Sequence, residues 1–146
     1  MCGAAWRATR GRQRSRATLV KIAAARKHRP GRYERAIARA VQARGVALEA
    51  QYPVGIYNLD LAIPETRVAV EVMGRPLYAH EAAAFRQRAK YLIDSGWALL
   101  LVVWRPTYPG PTYLSAATIA QHVVAFAELV SRLPAERRGY RVIRGD

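Results

Sequence analysis

From Ala98 to Trp104 the chain reads Ala-Leu-Leu-Leu-Val-Val-Trp, with no polar residue, and this run narrows the fold more than any other feature. Its length is that of a strand, far short of the roughly 18 apolar residues of a membrane span. A strand apolar on both faces needs cover on both, which is the position of a central strand between helical layers. The rest of the chain offers those layers. Tyr33, Ala36, Ile37, Ala40 and Val41 recur at helical spacing, and Gly45 follows as a stop. Ser15 caps an expected helix that runs to about Lys27. Two more are expected, from about Glu81 to Ser95 and from about Ser115 to Leu133. In the first of these Phe85, Ala89, Leu92 and Ile93 face inward. A Pro-rich loop, 106–111, precedes the second. Strand signals cover Val46 to Tyr52, Ile56 to Ile63 and Val68 to Met73, separated by turns at Pro53-Val54-Gly55 and at Pro64-Glu65-Thr66-Arg67. Tyr140 to Arg144 reads as a short edge strand. This order predicts an α/β domain with a mixed central sheet of about four to five strands flanked by helices. At 146 residues there is room for one such core and not for two.

Charge divides the chain unevenly. Twenty-four Lys and Arg stand against ten Asp and Glu, a net charge of +14, yet residues 1–44 hold thirteen of the bases and a single acid, Glu34. Residues 1–30 therefore read as a basic segment ahead of a nearly neutral body, residues 31–146. Such a segment is drawn to a polyanion through phosphate contacts and counterion release. Arg10, Arg12, Arg14, Lys21, Arg26 and Lys27 are its candidate contacts. A membrane surface is a poorer partner, because the segment has one Trp and few large apolar residues to insert. The single cysteine, Cys2, excludes an internal disulfide framework and a cysteine-cluster zinc site. With no signal-peptide pattern at the start, an intracellular compartment is expected.

The second and third strands carry a pair of acids. Alternation from Ile56 to Ile63 puts Tyr57, Leu59, Leu61 and Ile63 on one face, with Asn58 and Asp60 on the other. If the turn sets Ile63 against Val68, Asp60 stands opposite Glu71. Opposed Cβ atoms in an antiparallel pair are about 4.5–5.5 Å apart, and two carboxylates that close repel unless a cation lies between them. A hard divalent ion such as Mg²⁺ supplies that charge and also binds phosphate oxygens. In the alternative, both acids face solvent and pair with Arg67 or Arg75. The following helix brings Arg86, Arg88 and Lys90, and cations beside a metal–carboxylate pair suit phosphodiester cleavage.

These residues resemble a known family. Gln51-Tyr52-Pro53-Val54-Gly55-Ile56-Tyr57-Asn58-Leu59-Asp60-Leu61-Ala62-Ile63, then Val68-Ala69-Val70-Glu71-Val72-Met73-Gly74, then His80, the Arg-rich helix and Gly96-Trp97, resemble the PD-(D/E)xK nuclease superfamily. The likeness is greatest to its very-short-patch-repair-like branch, which includes phage-type homing endonucleases, and covers roughly residues 33–145. Arg10 to Lys27 is similar to the modular DNA-binding motif fused to homing nucleases, with Arg16 and Ala17 where that motif usually has acids.

The resemblance implies a restriction-endonuclease-like core. It implies Mg²⁺, or Mn²⁺ in its place, held by Asp60, Glu71 and the Val72 carbonyl. Glu34 matches a helical acid supporting the metal or a water, His80 a general acid/base or phosphate contact, and Gln51 a polar contact. Met73 departs from the pattern, since it occupies the basic position of Glu-x-Lys; activation of water then falls to the metal, His80 or Lys90. The zinc-binding cysteines of the repair enzyme are also missing, so mismatch repair is not implied. The expectation is an endonuclease of duplex DNA, homing-type or nicking, with Arg86 among its DNA contacts. It would act in the cytoplasm or nucleoid of a bacterial or phage-infected cell, as a homodimer where both strands are cut. The rivals are a non-catalytic DNA-binding protein on the same fold and a basic RNA-binding protein.

Overall fold

Helix α1, Arg16–Lys27, begins where Ser15 Oγ accepts the Thr18 N–H at 3.2 Å. The computed structural model describes residues 15–27, 30–104 and 114–145; Arg10, Arg12, Arg14 and the Pro-rich segment at 106–111 lie outside them. The side chains of Arg26 and Lys27 lie outside the description too. Helix α1 does not stand apart from the body, because it lies against the first two strands with Leu19 buried. Helix α2, Arg32–Gln42, is closed at its start by Glu34, whose carboxylate accepts the Gly31 N–H at 3.2 Å. That places an acid in the first turn, where the helix dipole favours one. Ile37 and Val41 turn inward; the helix is capped by Ala43, and Gly45, in the turn that follows, takes the left-handed region at φ 79.

Strands β1 (Glu49–Val54), β2 (Tyr57–Ile63) and β3 (Val68–Met73) form an antiparallel meander. Helix α3, Ala79–Asp94, then crosses to β4, Ala98–Trp104, which runs parallel to β3. Helix α4, Ala116–Ser131, and a short 3₁₀ turn lead to β5, Tyr140–Gly145, parallel to β4. The sheet order is β1-β2-β3-β4-β5. The protein is thus an α/β domain, its described residues forming a mixed five-stranded sheet flanked by four helices. No helix among the described residues is long and apolar enough to cross a membrane.

The apolar run has the cover it requires. Every residue of β4 is buried. Leu100 and Val102 join Ile37, Val41, Ile119 and Val123 in a layer under α2 and α4. Leu99 joins Leu59, Ala62, Ala69, Ala89 and Leu92 under α3. Each large aliphatic side chain so removed from water contributes roughly 1.5–3 kcal/mol.

Strand β1 starts later and runs on further than expected, through Pro53 and Val54, and the turn falls at Gly55-Ile56. Pro-x-Gly reads locally as a turn, but β1 is an edge strand, where a missing N–H is tolerated. Gly55 is required there. Its φ is +55, and a Cβ built on it falls 1.8 Å from Tyr91 Oη. Gly55→Ala is expected to cost at least about 1 kcal/mol in urea denaturation, with Tyr91→Phe recovering part of the loss in the double variant.

Candidate active site

Asp60 owes its position to a break in alternation. Ala50 pairs with Leu61 and Tyr52 with Leu59, but the intervening Gln51 and Asp60 drop out of the ladder. Gln51 has φ 53, a conformation that non-glycine residues seldom adopt. Across this kink the faces exchange: Leu61 packs in the α2–α4 layer, whereas Leu59 packs under α3. The even alternation expected from Tyr57 to Ile63 is therefore corrected. Asn58 and Asp60 do not share surroundings. Asn58 Nδ2 donates to Gln51 Oε1 at 3.3 Å, and Gln51 Nε2 donates to Glu34 Oε2 at 3.2 Å, which ties this branch to α2. Asp60 instead lines a cleft beneath α3.

The turn sets the register as expected, with Ile63 opposite Val68 and Leu61 opposite Val70. The ladder stops there, and the two acids continue it. Asp60 Oδ2 accepts the Val72 N–H at 2.9 Å, while the Asp60 N–H bonds the Glu71 carboxylate. Glu71 is only 7% exposed. Arg88, from α3, donates through Nη2 to Glu71 Oε1 at 2.5 Å and to the Asn58 carbonyl. Burial first, and the Asp60 charge second, push the Glu71 carboxyl up to about 8; Arg88 pulls the other way without cancelling them. The cleft measures about 440 Å³, and Tyr57, Met73 and Phe85 complete its wall around Asp60, Glu71 and Arg88.

The rim of the cleft is clamped. Arg75 grips Glu81 with two bonds of 2.8 and 2.9 Å, and the Tyr78 N–H adds a third at 2.9 Å. The Arg75 bonds first, then the Tyr78 N–H, hold the Glu81 carboxyl down at about 2. Arg75 also lies over the Tyr78 ring, 4.0 Å from its centroid, and Tyr78 stacks on His80 at 5.8 Å.

The other expected site residues are spread out. Glu34 is linked to the strand pair through Gln51 and is not part of the cleft wall. His80 is exposed in the first turn of α3, which starts two residues earlier than expected, and it is not among the residues lining the two acids' cleft. Lys90 is exposed and paired with Asp94 at 2.5 Å. It lines a second cavity, of about 530 Å³ between α3 and β5, together with Arg86. Lys21 is exposed on α1.

The cation that meets the acids is Arg88. Helical phase does not single it out, because Arg88 stands three residues from inward Phe85 just as Arg86 stands three from inward Ala89; the packing of α3 turns Arg88 toward the acids and leaves Arg86 and Lys90 on the β5 side.

Among the described residues no group of three or more His, Cys, Asp and Glu gathers as a metal cluster. A hard divalent ion nevertheless fits the pair. Two carboxylates adjoin, one of them buried and under-compensated by its arginine, and Mg²⁺ takes one or two carboxylates with its remaining positions on water. Compared with protein-family models and with curated proteins, the chain matches none.

Proposed function

We propose that the protein is a metal-dependent endonuclease of the PD-(D/E)xK type that hydrolyses phosphodiester bonds in duplex DNA. The observation that carries this reading is the convergence of Asp60 and Glu71 in one cleft, where burial and mutual repulsion leave Glu71 short of positive charge. Asp60, Glu71 and the Val72 carbonyl would hold Mg²⁺ or Mn²⁺. Such an ion, when bound, lowers the pKa of a coordinated water and neutralises charge that builds up on the phosphate. The chain's own residues do the rest. Asp60 is aimed by its bond to the Val72 N–H, and Glu71 by Arg88 and the Asp60 N–H. Glu34 steadies the kinked strand through Gln51. The basic residues of 1–30 and Arg86 supply attraction to the DNA backbone. One copy has one such site, so a cut through both strands calls for a second copy, and a lone copy nicks. The proposed place of action is the DNA-containing compartment of a bacterial or phage-infected cell.

One observation favours a second reading, a DNA-binding protein without catalysis. Met73 puts an apolar side chain in the cleft where a base is wanted. Supercoiled plasmid separates the two. The nuclease relaxes or linearises it in Mg²⁺ and leaves it intact in EDTA. Retention of DNA in both buffers with no cutting in either overturns the nuclease reading.

A further inference from the structure

We infer that Arg88 is a catalytic residue, the cation that contacts the scissile phosphate in the carboxylate cleft; this rests on the nuclease reading above. Among the described residues lining that cleft it is the one cation. The other bases nearby are committed elsewhere. Arg75 is clamped to Glu81, Lys90 is paired with Asp94, and Arg86 lines the cavity on the β5 side. Arg88 is both held and reachable. Its bonds to Glu71 and to the Asn58 carbonyl leave from Nη2 alone, and its side chain keeps 27% of its exposure. Nε is buried without a partner. A guanidinium carries five N–H donors in a planar fork, so with Nη2 engaged on the protein and Nε buried, Nη1 is left to meet a phosphate oxygen.

The chemistry needs such a group. In hydrolysis the water oxygen bonds to phosphorus, the P–O ester bond breaks, and the departing oxygen takes a proton to leave as a hydroxyl. Negative charge accumulates on the phosphoryl oxygens in between. A cation already fixed beside that position stabilises it without reorganising. Met73, two residues along β3 from Glu71 and in the same cleft, offers no charge. Arg88 supplies from the helix what the strand lacks.

The test uses the full chain, supercoiled plasmid and Mg²⁺. Arg88→Met is expected to cut ~10²-fold more slowly, the scale of losing one oxyanion donor, with half-saturating DNA shifted less than about threefold. Arg88→Lys keeps a charge beside Glu71 and covers the case in which the methionine variant unfolds. It is expected to cut at least about tenfold more slowly, since a point ammonium does not reproduce the fork. The deciding variant adds Met73→Lys to Arg88→Met. With Met73→Lys alone as the reference, a purely structural role for Arg88 gives no gain beyond the one Met73→Lys brings to the parent, whereas a cation returned to the cleft from β3 is expected to restore at least about tenfold more in the Arg88→Met background. The inference is overturned if either single Arg88 variant cuts within about threefold of the parent, or if Met73→Lys speeds Arg88→Met no more than it speeds the parent. A parent chain that leaves plasmid intact overturns the nuclease reading itself, and this inference with it.

Discussion

Asp60→Asn is expected to abolish plasmid cleavage, by ~10³-fold or more, while making the metal-free protein more stable near neutral pH. The first effect follows from the proposed ligand set. A bound ion contributes several kcal/mol to charge stabilisation, and each 1.4 kcal/mol or so is a factor of ten. The second follows from the repulsion between the acids. The Asp60 charge is the second-largest cause holding the Glu71 carboxyl high, and asparagine removes it. The substitution spares the fold, because an amide oxygen still accepts the Val72 N–H that Asp60 Oδ2 now holds at 2.9 Å. Retention of DNA should change little, since the basic segment is untouched. Plasmid cleavage and urea denaturation of the same preparation check both parts. A variant that cuts within about tenfold of the parent removes Asp60 from the chemistry.

Stability of the metal-free protein should fall as pH rises from about 4.5 to about 8, and Glu71→Gln should flatten that fall. In the unfolded chain the Glu71 carboxyl loses its proton near 4.5, whereas burial keeps it protonated to about 8 in the native state. Between those values the native state binds more protons, so raising the pH favours unfolding, by at most about 1.4 kcal/mol per unit. Above the native value the curve levels. Glutamine has no proton to lose, and its amide oxygen still accepts from Arg88. The difference between parent and variant therefore isolates Glu71 and amounts to a few kcal/mol at pH 9. On the proposed function, Mg²⁺ at pH 8 restores the parent and leaves Glu71→Gln unmoved, because the ion binds the charged carboxylate. Urea midpoints from pH 5 to 9 give the answer, and parallel curves for the two proteins refute the placement of this charge.

What was legible in the chain had a local cause. Ser115 caps α4, its Oγ accepting the Thr118 N–H at 3.1 Å, and that cap depends on one short side chain at the right step. The turn at Pro64-Glu65-Thr66-Arg67 sets Ile63 against Val68, and from that one pairing the approach of Asp60 to Glu71 follows. Other features had no local cause. Pro53-Val54-Gly55 has the composition of a turn, yet the first two stay in β1 because edge position relaxes the rule against proline. Arg86, Arg88 and Lys90 look equivalent by composition, and only the packing of Ala89 and Leu92 selects which of them faces the acids.

Period and punctuation in the amino-acid order were enough for the layered α/β architecture, the seven-residue central strand and the register joining the two acidic strands. Those features follow from alternation, helical repeat and turn chemistry, which act over a few residues. The exchange of faces at Gln51 and Asp60, the choice of Arg88, and the burial that lifts Glu71 were decided only in three dimensions. Each depends on groups distant in sequence meeting in a medium of low polarity, and no short window of residues contains that encounter.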